Sequence, residues 1–209
     1  MNPFIGGLLD LLAPPNCAGC DLPTDKAGLA FCDACSPLLE LVPTTLRAPG
    51  ATAAALCYQG PLADAIRRLK YRDRPELATS LGQLLASAAT PYAGLVDRVV
   101  PVPLHRSKLR ERGYNPAALL ARATARQLGV ALDTSCLARV RATRTQAELP
   151  AQLRADNVRG AFAARQLERP QRILLIDDVR TTGATLHEAA AALSSTGHTV
   201  LTLALAWAA

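Results

Sequence analysis

Apolar residues recur along this chain in two rhythms, and the two alternate. "RILLI" (172–176) is continuously apolar after its arginine, which suits a strand covered on both faces. Shorter runs in "TAAALCY" (52–58), "DRVVPVP" (97–103) and "CLARV" (136–140) predict further strands, and "HTVLTLALAW" (198–207) closes the sheet. Between them the period lengthens to that of a helix. In 61–71, Leu62, Ala65, Ile66 and Leu69 share one face, and 75–89 gives a second helix. Residues 115–128 form a third, with Asn115 as N-cap and Pro116 at the first helical position. In 184–193, Leu186, Ala189, Ala190 and Leu193 face the core. This order of strands and helices predicts an α/β fold, a mostly parallel sheet with helices on both faces. Residues 4–12 read as a short amphipathic helix.

The prolines and glycine of "PLLELVPTTLRAPG" (37–50) interrupt the pattern and put a boundary near residue 48, giving a module at 1–48 and a larger domain at 49–209. The module contains "CAGC" and "CDAC". Their cysteines, Cys17, Cys20, Cys32 and Cys35, have eleven residues between the pairs. Two such tight turns each offer two sulfurs to one ion, the arrangement of a tetrahedral structural zinc site. A module this small has no core of its own, so metal would supply its stability. Losing Cys17 should then disorder the module while the larger domain stays folded. Cys57 and Cys136 stand alone in apolar contexts, as core residues do.

In 209 residues the formal net charge is +6, which favours anionic partners: phosphorylated metabolites, nucleic acid or an acidic surface. No uninterrupted apolar segment approaches the ~18 residues of a membrane span. The N-terminal apolar stretch lacks a preceding basic region and is broken by Asp10, unlike a secretory signal, so the expected compartment is the cytoplasm.

The most informative chemistry follows "RILLI". Asp177 and Asp178 fall where ligands of open parallel sheets bind, beyond the carboxyl ends of the strands. The turn that follows carries Thr181, Thr182, Gly183, Ala184 and Thr185 into a helix start, whose free amides and partial positive charge make a phosphate cradle. Two carboxylates beside a phosphate site make sense if the ligand also presents a diol or a chelated Mg2+. Ribose 5-phosphate groups have that combination. A strand-end carboxylate aimed at ligand should make few internal contacts, so losing Asp178 should cost binding and little stability. The glycine-lysine loop of nucleoside triphosphatases and the glycine fingerprint of dinucleotide folds are both absent. Arg106, Lys108, Arg110 and Arg112, in the loop after the strand at 97–103, bring four cations to the mouth of such a site.

"ILLIDDVRTTGATL" (173–186) resembles the signature of type I phosphoribosyltransferases, which use phosphoribosyl pyrophosphate (PRPP) and Mg2+. "VVPVPLHRSKLRERGYNPAALLAR" (99–122) and "RTQAELPAQLRADNVRGAF" (144–162), behind the cysteine module, resemble the ComF family, associated with natural competence for DNA uptake. The resemblance implies a sheet of the type I phosphoribosyltransferase kind. It puts Asp177 and Asp178 on the ribose hydroxyls, residues 181–185 on the 5′-phosphate, and the loop with Arg106, Lys108, Arg110 and Arg112 on pyrophosphate. Arg139, Arg141 and Arg144 would belong to a charged flap over the ligand, and His105 is structural. Three functions fit: phosphoribosyl transfer to an unknown acceptor, PRPP binding without turnover, and binding of single-stranded DNA beside DNA-uptake proteins. Arg67, Arg68, Lys70, Arg72 and Arg74 add a positive cluster for the last, although one Trp, four Tyr and three Phe leave few rings for stacking bases.

Overall fold

The computed structural model describes residues 16–24, 29–50, 53–143 and 154–208. The helix expected at 4–12 and the flap residues from 144 to 153 lie outside them. Strands β1 (Ala53–Cys57), β2 (Arg98–Pro101), β3 (Ala131–Leu132), β6 (Arg172–Arg180) and β7 (Thr199–Trp207) form one parallel sheet in the order β1-β7-β6-β2-β3. Strands β4 (Leu137–Arg139) and β5 (Phe162–Ala164) form a separate antiparallel pair. The helices are α1 (Gly60–Tyr71), α2 (Leu77–Ala88), α3 (Arg106–Arg112), α4 (Pro116–Leu128), α5 (Arg154–Val158) and α6 (Ala184–Ser194). The sheet is parallel throughout, as its apolar runs require. Strand β7, expected to close the sheet, is inserted between β1 and β6, a slot that suits a strand whose residues 202–206 are all buried.

Alternation along the strands divides the interior into two cores. Leu174 and Ile176 of β6, Val99 of β2 and Leu203 of β7 pack under α1, α2 and α4. Ile173, Leu175, Val100 and Ala204 pack on the other face against α6 and the β4–β5 pair. All four residues of "ILLI" are fully buried, so both faces of β6 are covered. Asn115 caps α4 as expected, its Oδ1 accepting from the Ala117 amide at 3.1 Å. Leu186, Ala189 and Leu193 of α6 are buried, while Ala190 is half-buried. Cys136 is fully buried; Cys57 is half-buried, with its thiol towards the Leu41 carbonyl.

The cysteine module packs onto α1. Cys17, Ala18, Phe31 and Cys35 join the same buried cluster as Leu62, Ile66 and Leu69. A Cβ on Gly19 would come within 2.6 Å of the Pro61 Cβ, so only glycine lets the first knuckle sit this close to the helix. Arg68 of α1 donates to the Ala18 and Gly19 carbonyls at 2.7 and 2.6 Å, and Arg74 pairs with Asp21 at 2.9 Å. Among the described residues, no helix is long and apolar enough to cross a membrane.

Candidate functional site

Strand β2 stops at Pro101, opposite Ile176, but β6 continues for four more residues paired with β7 alone. The acid pair therefore lies inside an extended strand rather than just after its end, because β7 supplies partners as far as Trp207. The chain leaves β2 towards β3 and leaves β6 towards β7, in opposite directions across the sheet. The crevice between their carboxyl ends is thus a topological switch point, where open α/β sheets bind ligands.

A cavity of about 230 Å3 fills this crevice, with Asp177, Asp178, Thr181 and Thr185 on one wall and Val102 to Leu104 of the β2 loop on another. Asp178 makes the internal contact that the sequence did not suggest. It is buried, and its Oδ1 lies 2.7 Å from Nζ of Lys70 on α1. The Asp178 amide donates to Asp177 Oδ1 at 2.9 Å. Burial, and then the neighbouring Asp178 charge, push the Asp177 carboxyl up to about 7, against the opposing pull of Lys70, that amide and Arg139.

Because an unfolded aspartate titrates near pH 4, between about pH 4 and 7 the folded chain holds a proton that the unfolded chain has lost. This group's contribution to stability is full below about pH 4 and is lost as pH rises to about 7. Asp177→Asn carries no such loss. Its melting temperature relative to wild type should rise between pH 4 and pH 8, with an upper bound of about 4 kcal/mol. Parallel pH profiles in thermal melts would contradict this.

The turn after the strand leads directly into α6. Gly183 caps α6 at φ 83°, a left-handed conformation that favours glycine, and its missing Cβ leaves room beside Arg180 Nε. The Ala184 amide leans on the Thr182 hydroxyl at 3.4 Å. Thr181 and Thr185 line the cavity, whereas Thr182, Gly183 and Ala184 form the turn behind them.

The four cations after β2 sit on a helix rather than the expected loop, and the helix sorts them by face. Lys108 and Arg112, four residues apart, line the cavity. Arg110 lines an adjoining groove, and Arg106 lines neither. His105 is the N-cap of α3, its Nδ1 accepting from the Ser107 amide at 3.3 Å, which is a structural role. Arg139, from β4, enters the cavity with its guanidinium over the Phe162 ring and its Nε buried without a hydrogen-bond partner among the described residues.

The four module cysteines are free thiols whose sulfurs lie within 4.8 Å of one another, Cys20 and Cys32 being 3.8 Å apart. A tetrahedron with metal–sulfur bonds of about 2.3 Å has edges of about 3.8 Å, so the cluster can hold a metal ion. Burial acts to raise the Cys17 thiol, but amides aimed at its sulfur outweigh this and lower it to about 6, whereas burial and the neighbouring cysteines push the Cys35 thiol up to about 12.

The chain is 38% identical over 145 residues to the DNA utilization protein YhgH of Salmonella typhi, covering 67% of this chain and 64% of that protein. The same protein of Escherichia coli K12 is 36% identical over the same shares. Competence protein F of Haemophilus influenzae is 35% identical over 148 residues, 67% of this chain and 65% of its own length. This chain belongs to the ComF family. It spans just under two thirds of the length of these ComF relatives. No family model matches it. Among solved structures it is similar to glutamine PRPP amidotransferase from B. subtilis complexed with ADP and GMP, at 21% identity and a TM-score of 0.45, over 66% of this chain and 30% of that one.

Several residues of the ComF cavity escaped the sequence reading. Tyr58, Tyr71 and Asn115 line it, and so does Lys70. The sequence groups Lys70 with Arg67, Arg68, Arg72 and Arg74 as a positive cluster for single-stranded DNA, and the structure spends most of that cluster on internal contacts. Arg67 pairs with Asp64 and lies over Tyr58, Arg68 holds the cysteine module, and Arg74 binds Asp21 and Glu76. The available signal was position: Lys70 follows Leu69 and lies four residues after Ile66, on the flank of the buried face.

Proposed function

We propose that this ComF chain binds PRPP with Mg2+ at the switch-point cavity, and that the site serves DNA uptake. The observation that carries the reading is that an acid pair, two threonines of the turn at 181–185 and two helix cations open into one cavity. In this reading Asp177 and Asp178 accept from the ribose hydroxyls, and Thr181 to Thr185 hold the 5′-phosphate. Lys108 and Arg112 face the pyrophosphate, with Arg110 and Arg106 as outlying attraction for a polyanion. Mg2+ carried by the pyrophosphate would offset its charge and make it a better leaving group if the phosphoribosyl group is transferred. The cysteine cluster holds structural zinc, because four thiolates at tetrahedral spacing suit that ion. The cytoplasm, where such thiols stay reduced, is the fitting compartment.

The link to DNA uptake is supported by the names of the relatives, a DNA utilization protein and a competence protein. Direct single-strand binding draws less support, since the cations at 67–74 are largely engaged. The test is calorimetric titration of the protein with PRPP and Mg2+, followed by an assay for pyrophosphate release. Saturable binding of one equivalent is expected. Binding without release makes the protein a PRPP binder, release makes it a transferase, and no heat with PRPP and Mg2+ removes the reading.

A further inference from the structure

We propose that Lys70 is the residue by which this cavity distinguishes PRPP from ribose 5-phosphate, an inference that rests on the PRPP reading above. Lys70 is the penultimate residue of α1, beside the fully buried Leu69. Packing of that helix against the sheet carries the ammonium inward, so only 20% of the side chain is exposed. Its partner Asp178 is more buried still.

An ion pair taken out of water is a poor stabiliser, because desolvating both charges offsets most of their attraction, and an apolar pair of similar shape does as well. The contact with Asp178 therefore gives the cation little reason to be there on grounds of stability alone. An ammonium carries three donors. Asp178 takes one, and among the described residues no second carboxylate lies within ion-pair distance of Nζ. Burial pulls the Lys70 ammonium towards neutrality, but the Asp178 carboxylate outweighs this and keeps it charged.

Position supplies the second argument. Lys70, Tyr71, Lys108 and Arg112 form the wall shared by the switch-point cavity and the adjoining groove of about 720 Å3 that Arg110 also lines. Lys70 is thus a cation at the junction, paired with Asp178 on one side and sharing the wall with Lys108 and Arg112 on the other. A ligand whose hydroxyls engage Asp178 competes with Lys70 for that carboxylate. It binds well only if it gives the ammonium another anion close to those hydroxyls. PRPP does so, because its pyrophosphoryl group is attached at the carbon next to the 2-hydroxyl. Ribose 5-phosphate has a neutral hydroxyl there and leaves the buried charge short of a partner.

The experiment is titration of wild type, Lys70→Met, Lys70→Gln and Lys70→Arg with PRPP and with ribose 5-phosphate, each with Mg2+, reading the ratio of the two Kd values. A charge-assisted bond to the pyrophosphoryl group predicts that Met and Gln lower the preference for PRPP about tenfold or more, while Arg keeps most of it. A purely structural role would weaken both ligands together and leave the ratio unchanged, which would overturn the proposal. The Gln variant keeps a polar partner for Asp178, so the comparison survives if Met does not fold. Wild-type protein that binds neither ligand removes the PRPP reading itself, whereas wild-type preference for PRPP with unchanged ratios in Met and Gln removes only the role of Lys70.

Discussion

Asp178→Ala is expected to abolish PRPP binding and also to destabilise the protein by about 3–5 kcal/mol, the usual cost of removing one partner of a buried ion pair. A strand-end carboxylate aimed only at ligand would leave the melting temperature unchanged. The 2.7 Å contact with Lys70 changes that expectation, since alanine leaves a largely buried ammonium without its counter-charge. The two effects can be separated. Lys70→Met combined with Asp178→Asn removes both charges and should recover much of the stability without restoring binding. Thermal melts and calorimetry on the single and double variants check this. An unchanged melting temperature in Asp178→Ala would mean that the ion pair is not formed in solution.

Cys17→Ser is expected to cost the metal and to loosen α1. Structural zinc in small modules is worth on the order of 10 kcal/mol or more of apparent binding energy at neutral pH. From the sequence alone, its loss should stop at the module boundary. The shared core argues otherwise, because Cys17, Ala18, Phe31 and Cys35 pack on Leu62, Ile66 and Leu69, and Arg68 of α1 and Arg74 just beyond it bind the first knuckle and Asp21. The same helix delivers Lys70 and Tyr71 to the cavity. The core on the other face of the sheet, under α6, includes none of the module's cysteines and should stay folded. Metal analysis should find about one zinc in wild type and none in the variant. Amide exchange should quicken in α1 while α6 keeps its protection, and PRPP binding should weaken. Protection in α1 equal to wild type would show that the module does not brace the helix.

The parts that were legible in the sequence are those in which local pattern and tertiary demand agree. "ILLI" reads as a strand covered on both faces because burial on both faces removes any polar alternation. Asn115 and Pro116 read as a helix start because the cap and the fixed proline φ act within a few residues. The cysteine pairs read as one cluster able to hold a metal because each knuckle is local. What was not legible depends on distant partners. The extension of β6 through Asp177 and Asp178 to Arg180 is set by the reach of β7, and the interior position of β7 by β1 pairing beyond it. Arg106, Lys108, Arg110 and Arg112 looked equivalent until a helix put only Lys108 and Arg112 on the cavity. Lys70 looked like one cation of five because charge, unlike apolarity, carries no sign of which way a flanking position faces.

A crystal structure of the protein with PRPP and Mg2+ decides whether the acid pair, the 181–185 turn and the α3 cations serve one ligand. Ribose hydroxyls are expected on Asp177 and Asp178, the 5′-phosphate at the start of α6 against Thr181 and Thr185, and pyrophosphate beside Lys108 and Arg112. Density for PRPP elsewhere on the molecule, with the switch-point cavity filled by water alone, would contradict it.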